Sequence, residues 1–390
     1  MKILIVAYHF YPDVTPRSFR AFELVKELGR EGHDVKVLLP KSDFNFQEIC
    51  KKYNFSIDFV DYYKTLQNSL ETKNKIKNNS NFININIMKV IKNFYYCIFP
   101  SGRATQFYFY AVYKKLIHYN EHFDMIISIA TPYDTHMGIA LAMLKKKNLF
   151  QSGVKVADYG DPLYKNPALP SCFLYYWIDK FISSKFDYVT VPTETAISIF
   201  ETFKNKKNIK LIPQGFDFSN VKRAEYVKNK TITFAYAGIF YEDIRNPKPL
   251  LDFLLSLDRK GIDFRFVIYT KINNINNMNL LNKYQNELKK KLCINASIPR
   301  EDVIYELSKM DFLINIDNLS ESQTPSKLID YALTKRPIFS FNQLNFSDTK
   351  FMNFINAQYS DSTVIDLDKF DIKKISNQFV QLGKKLNDDK

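Results

Sequence analysis

Short apolar runs alternate with helix-patterned segments along almost the whole chain, and this alternation limits the fold more than any other feature. In the first half, the predicted strands are Ile3–Val6, Val35–Leu39, Met125–Ala130, Val154–Asp158, Tyr188–Pro192 and Lys210–Ile212. The predicted helices between them include Arg17–Arg30, Thr135–Lys147 and Ala196–Lys204. A β–α–β alternation of this kind predicts a doubly wound parallel sheet.

The alternation stops in the charged, turn-rich stretch 214–230 and then starts again. The second series comprises the predicted strands Thr231–Tyr236, Phe264–Tyr269, Phe312–Ile316 and Pro337–Phe339 and the predicted helices Lys248–Lys260, Arg300–Met310 and Pro325–Leu333. The Asn-rich segment Asn273–Asn282 is predicted to be a loop or a frayed helix start, and Ile372–Asn387 a final helix.

The predicted fold is therefore α/β, with two Rossmann-like doubly wound domains facing across a cleft. We place the N-terminal domain at 1–217 and the C-terminal domain at 218–371, with a helix over 372–390 that packs back on the N-terminal domain. Ligands of such sheets bind at the carboxyl ends of the strands, so candidate site residues are sought in the loops that follow strands.

Composition excludes some classes of protein and leaves others open. The net charge of +14 fits a nucleic acid, an anionic membrane surface or a phosphorylated substrate as partner. No apolar run approaches the ~18 residues of a membrane span, and the chain opens directly on a strand rather than a signal peptide. The scattered cysteines have no metal-ligand spacing, which predicts reduced thiols in a cytosolic protein.

The segment Thr324–Ala332 has the pattern of a phosphate-binding helix start. It follows a predicted buried strand, and its proline suits the first turn of a helix. The free N–H groups of Ser326 and Lys327 would point out of that first turn, where the helix dipole favours an anion. Lys327 adds a full positive charge, and Asp330, one turn later, is predicted to accept hydrogen bonds from ribose hydroxyls.

Two further groups of residues follow predicted strands of the first domain. Arg17 and Arg20 are predicted to bind an anion or an acceptor sugar, or to be solvated arginines beside a loop pinned by aromatic residues. Asp158 and Asp161 are predicted to bind acceptor hydroxyls, to orient a catalytic group or to cap a turn.

The segment Lys51–Arg103 is basic and ends in a run of aromatic residues. This combination suits an anionic membrane interface, where a lipid-linked acceptor would be presented. The alternative is that this segment is a solvent-exposed insertion in the first domain.

Several segments together resemble one family of enzymes. "MKILIVAYHFYPDVTPRSFRAFELVKELGREGHDVKVL", "VADYGDPLY" ending at Tyr164, "YVTVPTE", "KLIPQGFD", "FAYAGIFYEDIRNPKPLLDFL" and "TPSKLIDYALTKRPIFSF" resemble, in order, motifs of bacterial retaining glycosyltransferases of the GT-B fold, family 4. Gln214 stands where the family's hinge usually has asparagine. The second acid of the family's Glu-x7-Glu motif falls at Asp330, and the first falls at Ser322, beside Glu321.

The resemblance implies roles for individual residues. The loop after Gly238, with Arg245 and Lys248, would bind the donor diphosphate, while Glu321 and Ser322 fall where the donor sugar is held. A cleft histidine would touch the donor sugar, and His136 and His9 are the two candidates; the alternative for His136 is a place on a helix surface. The resemblance implies no metal. Asp366-Leu367-Asp368 formally matches an Asp-x-Asp metal motif, but it lies outside any predicted strand–loop position.

The predicted function is a retaining glycosyltransferase that moves a sugar from a nucleoside diphosphate, such as UDP, to a hydroxyl of a surface-glycan or lipid-linked acceptor. It would work in the cytoplasm at the inner face of the membrane, with no cofactor, and Lys327 or Arg245 would stabilise the leaving diphosphate. A nucleotide-sugar epimerase of the same architecture is the alternative. A basic nucleic-acid-binding protein would explain the charge but shows no known binding motif.

Overall fold

The computed structural model describes residues 1–63, 90, 92–102, 105–146, 153–166, 169–240, 245–317 and 326–388. It divides the chain into two compact units. Unit 1 comprises residues 1–217 and 369–390, and unit 2 comprises residues 218–368. Each unit is built on a sheet of parallel strands with helices between them, so the predicted α/β class with two doubly wound domains is confirmed.

Unit 1 has a sheet in the order β3-β2-β1-β4-β5-β6-β7. Its strands are β1 Lys2–Ala7, β2 Asp34–Lys41, β3 Phe55–Tyr63, β4 Met125–Ile129, β5 Val154–Asp158, β6 Tyr188–Val191 and β7 Ile209–Leu211. Its helices include α1 Pro16–Arg30, α2 Gln47–Tyr53, α3 Tyr108–Ile117, α4 Asp134–Lys145, α5 Leu174–Lys185 and α6 Glu194–Phe200. The strand order reverses between β1 and β4, as in doubly wound sheets.

Local sequence explains where α1 begins and ends. The Thr15 hydroxyl accepts the N–H of Ser18 at 3.1 Å, and the Ser18 hydroxyl accepts the N–H of Thr15 at 3.0 Å, which is a capping box. Pro16 occupies the first turn, where its missing N–H costs nothing. Gly32, with φ +82°, follows the last turn in the left-handed region that favours glycine.

Unit 2 has a sheet in the order β10-β9-β8-β11-β12. Its strands are β8 Thr233–Ala237, β9 Arg265–Thr270, β10 Leu292–Ala296, β11 Phe312–Ile316 and β12 Ile338–Phe341. Its helices are α7 Lys248–Arg259, α8 Ile275–Leu288, α9 Arg300–Leu307, α10 Ser326–Leu333 and α11 Asp348–Ile355. A core rich in phenylalanine fills one side of the sheet, with Phe234 and Phe312 stacked at 4.7 Å on neighbouring strands.

The last helix, α12 Ile372–Asp388, packs on α1 within unit 1. The Ser376 hydroxyl donates to Glu31 Oε1 at 2.6 Å, and the Phe379 ring lies 5.3 Å below the Arg20 guanidinium.

Two apolar cores flank the sheet of unit 1. One is shared with α1, α2 and α12, and the other with α3, α4, α5 and α6.

Some elements differ from the sequence prediction. Of the two alternatives predicted for Asn273–Asn282, the loop is wrong and the helix start is correct, because α8 starts at Ile275 and buries Leu281. Strand β3 was not predicted, since this edge strand carries charged residues such as Asp58 and Asp61 in place of an apolar run. Within the described residues, no helix is long and apolar enough to cross a bilayer.

Candidate functional site

Lys327 lies over the carboxyl ends of two neighbouring strands of unit 2. Its Nζ is 4.6 Å from the centre of the Tyr236 ring near the end of β8. The same atom is 3.4 Å from the main-chain oxygen of Ile316, the last residue of β11. An ammonium over a tyrosine ring is a cation–π contact, which holds the charge at the position where ligands of parallel sheets bind.

Arg245 places a second positive charge beside Lys327. Burial and, to a lesser extent, the Arg245 guanidinium lower the pKa of Lys327 to about 7, while Asp317 opposes both effects. Two cations held together away from bulk water repel each other, so each favours an anion between or beside them. The structure thus brings together the two residues that the sequence assigned to the leaving diphosphate.

The turn after β8 requires a glycine. Gly238 has φ +144°, and its N–H donates to the Tyr269 oxygen at 2.9 Å. A Cβ at this position would lie 3.2 Å from the Tyr236 hydroxyl, which itself donates to the Ile239 oxygen. Gly238 therefore lets the backbone turn tightly over Tyr236, whose ring contacts the Lys327 ammonium.

Tyr331 joins α10 to the end of β8, and the sequence did not single it out. Its hydroxyl accepts the Ala237 N–H at 2.8 Å, and the residue is buried. This bond fixes the helix that carries Lys327 to the strand that carries Tyr236. The sequence signal for Tyr331 is a tyrosine one turn after a lysine at a helix start. That pattern does not tell a core tyrosine from one that positions the lysine.

Asp330 is already paired with a cation of unit 2. Its Oδ1 accepts from Arg300 Nε at 2.8 Å and lies 2.6 Å from Arg300 Nη2. Burial raises the pKa of this carboxyl, and Arg300 opposes the rise. The pair holds Asp330 to the start of α9, so a ribose contact from this residue has to share the carboxylate with Arg300.

The structure describes two of the other predicted donor-side residues, Lys248 and Ser326. Lys248 is exposed and pairs with Asp252 on the surface of α7. Ser326 is the first residue of α10. Glu321 and Ser322 lie outside the described residues.

The alternative that places His136 on a helix surface is wrong, and its contact with a donor sugar stays a prediction. His136 is fully buried in unit 1, with Nδ1 2.6 Å from the Ser128 hydroxyl and its ring 4.3 Å from that of Tyr159. Burial lowers its pKa to about 3, so the ring is neutral. The rival candidate, His9, is half-buried and lies 3.3 Å from Asp13.

The carboxylate of Asp158 is engaged inside unit 1, and its binding of acceptor hydroxyls stays a prediction. Asp158 is 1% exposed, and its carboxylate is bonded to the Arg20 guanidinium and the Thr190 hydroxyl. The solvated alternative is wrong for Arg20, which is buried in this ion pair, and its binding of a ligand anion stays a prediction. Arg17 packs on Gly160 with Nη1 3.5 Å from Asp158 Oδ2. Asp161 is exposed, and acceptor binding by Arg17 and Asp161 stays a prediction.

No group of three or more potential metal-ligating side chains occurs among the described residues. Asp366 and Asp368, the formal Asp-x-Asp pair, form a local turn in which the Asp368 N–H donates to Asp366 Oδ1 at 3.2 Å. The positive charges of Lys327 and Arg245 favour binding of an anion by unit 2.

Solved structures share the fold over nearly the full chain. A glycosyltransferase from Rickettsia africae ESF-5 is 12% identical, with a TM-score of 0.58 and 98% of each chain covered. A mutant of S. aureus TarM in complex with fondaparinux, α-GlcNAc-glycerol and UDP is 10% identical, with a TM-score of 0.58 over 98% of this chain and all of that one.

An enzyme of another class is similar to the same degree. The UDP-GlcNAc 2-epimerase from Neisseria meningitidis, bound to UDP-GlcNAc, is 13% identical, with a TM-score of 0.54 over 99% of this chain and 100% of that one. No protein-family model and no curated protein matches this sequence. At these identities the likeness establishes a two-domain α/β fold of the GT-B kind, and fold alone does not define the reaction.

Proposed function

We propose that this chain is a glycosyltransferase that takes its sugar from a nucleoside diphosphate donor held by unit 2. The observation that carries the proposal is the position of Lys327 at the carboxyl ends of β8 and β11, where the charge of Arg245 acts on it. Two neighbouring cations with mutually unfavourable electrostatics match a diphosphate, which carries two negative charges. UDP and UDP-GlcNAc in the complexes of fold relatives support a uridine nucleotide as the first donor to test.

In the proposed reaction the bond between the anomeric carbon and the diphosphate oxygen breaks, and the diphosphate leaves with the electron pair. The acceptor hydroxyl oxygen forms the new bond to that carbon and loses its proton. Lys327 and Arg245 stabilise the charge that grows on the leaving diphosphate, and because they are held in place they need no reorganisation during the step. Binding of the anion raises the pKa of Lys327 and keeps the ammonium charged.

The finer parts of the proposal rest on the resemblance in sequence. We propose retention of anomeric configuration, no resident cofactor, and a hydroxyl of a surface-glycan or lipid-linked acceptor. The acceptor would be used at the inner face of the cell membrane.

A nucleotide-sugar epimerase is the second candidate, favoured by the fold likeness to the Neisseria enzyme. Binding of the donor diphosphate by Lys327 and Arg245 would serve both reactions. The two differ in their product, because an epimerase converts the donor sugar without an acceptor and a transferase releases nucleoside diphosphate when an acceptor is present.

The test is an incubation with a panel of UDP, GDP and ADP sugars, with and without a mixture of glycan and polyprenyl-linked acceptors. We expect acceptor-dependent release of nucleoside diphosphate and a glycosidic product whose anomeric configuration is read by NMR. Lys327→Ala should lower turnover at least ~100-fold, while Lys350→Ala, on the exposed side of α11, should match the wild-type enzyme. Acceptor-independent formation of an epimeric donor would establish the epimerase. Equal turnover of both variants would refute the proposal that Lys327 binds the donor diphosphate.

A further inference from the structure

The outer side of α5 exposes large aromatic residues to solvent. Phe173, at the start of the helix, is 75% exposed, and Trp177 is 58% exposed. At 100° per residue, Trp177, Lys180 and Ser184 lie on the side opposite the buried Ile182. Aromatic side chains with this much exposed surface mark an interaction site when they are grouped rather than scattered.

A second exposed apolar group lies next to α5. Residues 92–98 are helical, and Phe94 and Ile98 are 68% and 49% exposed. The Tyr175 hydroxyl, from the first turn of α5, donates to the Tyr96 oxygen at 2.7 Å and holds the two segments together. The exposed aromatic residues of α5 and of 92–98 therefore belong to one region of unit 1.

Lysines lie over aromatic rings throughout this region. Lys180 Nζ is 5.2 Å from the centre of the Trp177 ring, and Lys114 Nζ is 5.2 Å from that of the half-exposed Tyr110 on α3. Lys92 Nζ is 6.0 Å from the centre of the Tyr96 ring. Apolar rings and ammonium groups thus alternate on the outer side of the helices that cover one sheet face.

The charge of this region has one sign. Its described residues, within 90–117, 134–146 and 173–185, include seven lysines and two carboxylates. Those carboxylates are Asp134, which is partly buried, and Asp179, which is fully buried. Lys115 is paired with Asp58 at 2.8 Å, and the other lysines give the region its positive solvent-facing charge, which attracts an anionic surface.

We propose that this aromatic–lysine face, made of the outer side chains of α3, α5 and residues 92–98, docks unit 1 on an anionic lipid bilayer. Aromatic side chains enter the interface between headgroups and acyl chains, while neighbouring lysines contact the headgroup phosphates. A symmetric second copy would set lysines against lysines, which opposes self-association. The exposed Ile98 and Phe173 have no counterpart in a duplex nucleic acid, whose outer surface is phosphate. This docking does not depend on which reaction unit 2 catalyses.

Trp177 is the single tryptophan of the chain and therefore reports directly from the proposed face. We expect its emission to shift to the blue when the full-length protein meets phosphatidylcholine vesicles with about 30% phosphatidylglycerol, and to be quenched by brominated acyl chains. Pure phosphatidylcholine vesicles should produce a much smaller shift, and added salt should reverse part of the effect.

Two variants and a control decide the outcome. Lys180→Glu should weaken vesicle affinity about thirtyfold, from two charges at about 1 kcal/mol each, and Trp177→Ser should lose most co-sedimentation. Leu344→Ser, which removes an equally exposed apolar side chain from unit 2, should bind like the wild-type protein. Unchanged tryptophan emission with anionic vesicles, or equal binding by the three variants, would overturn the proposal. A concentration-dependent blue shift without lipid would replace it with self-association.

Discussion

Arg20 and Asp158 form a two-bonded ion pair inside unit 1, with Arg20 Nε 3.0 Å from Oδ2 and Arg20 Nη2 2.7 Å from Oδ1. The same guanidinium donates to the main-chain oxygens of Ile212 and Pro213. One side chain of α1 therefore ties the end of β5 to the segment that follows β7. The pair is a structural link, and its partners are 138 residues apart in sequence.

Removing one partner of this pair should be costly. We expect Asp158→Ala to lower the free energy of unfolding by about 3–5 kcal/mol, because it leaves a buried guanidinium without its counter-charge. Asp161→Ala, three residues later and exposed, should change it by less than about 0.5 kcal/mol. Urea denaturation of both variants measures the difference, and equal stabilities would show that Asp158 is not the structural residue described here.

Asp179 should make stability depend on pH. Its Oδ2 accepts the N–H groups of Leu163 and Tyr164 at 2.8 Å, yet burial raises its pKa to about 7. Because the folded state binds the proton more tightly, this contribution is full below the unfolded pKa of about 4 and is lost as pH rises to about 7. Asp179→Asn has no charge to bury, so the wild-type protein should lose roughly 2–4 kcal/mol relative to it between pH 4 and pH 8. Parallel denaturation curves for the two proteins at both pH values would contradict this.

The sequence predicts the strands of this protein better than its buried polar residues. A continuous apolar run such as Phe312–Ile316 predicts a buried parallel strand, and its bounds are those of β11. The edge strand β3 has no such run, so its pairing with β2 decides its structure. Asp158 and His136 follow strands as site residues do, and only the distant partners Arg20, Tyr159 and Ser128 show that they belong to the interior.

Lys327 should lower the stability of the ligand-free protein. Its folded pKa of about 7 lies below the usual value for lysine, so the unfolded state binds more protons between pH 7 and about 10. Its penalty is therefore full below pH 7 and is relieved as pH rises. Lys327→Met keeps the volume and removes the charge, and should raise the unfolding free energy at pH 6.5 by roughly 1–2 kcal/mol. Lys350→Met is the surface control, and a destabilised Lys327→Met would contradict the account.

Donor affinity should depend on the protonation of Lys327. Above pH 7 the free enzyme must take up a proton at this residue before the diphosphate is bound by two cations, so affinity should fall by up to about tenfold per pH unit. Lys327→Arg carries a charge that does not titrate in this range, and its affinity should stay flat between pH 6.5 and 8.5. Calorimetric titrations of the productive donor at several pH values compare the two slopes, which should coincide if another group controls binding.

The central claim is that Lys327 and Arg245 hold the diphosphate of a sugar nucleotide on unit 2. Isothermal titration calorimetry of the wild-type protein, Lys327→Met and Lys350→Met with UDP and with the productive sugar nucleotide tests it most directly. We predict that Lys327→Met weakens binding about 10- to 100-fold, the loss expected for one charge-assisted contact, while Lys350→Met binds like the wild type. Equal affinity for all three proteins, or no binding of any nucleoside diphosphate to the wild type, would contradict the claim.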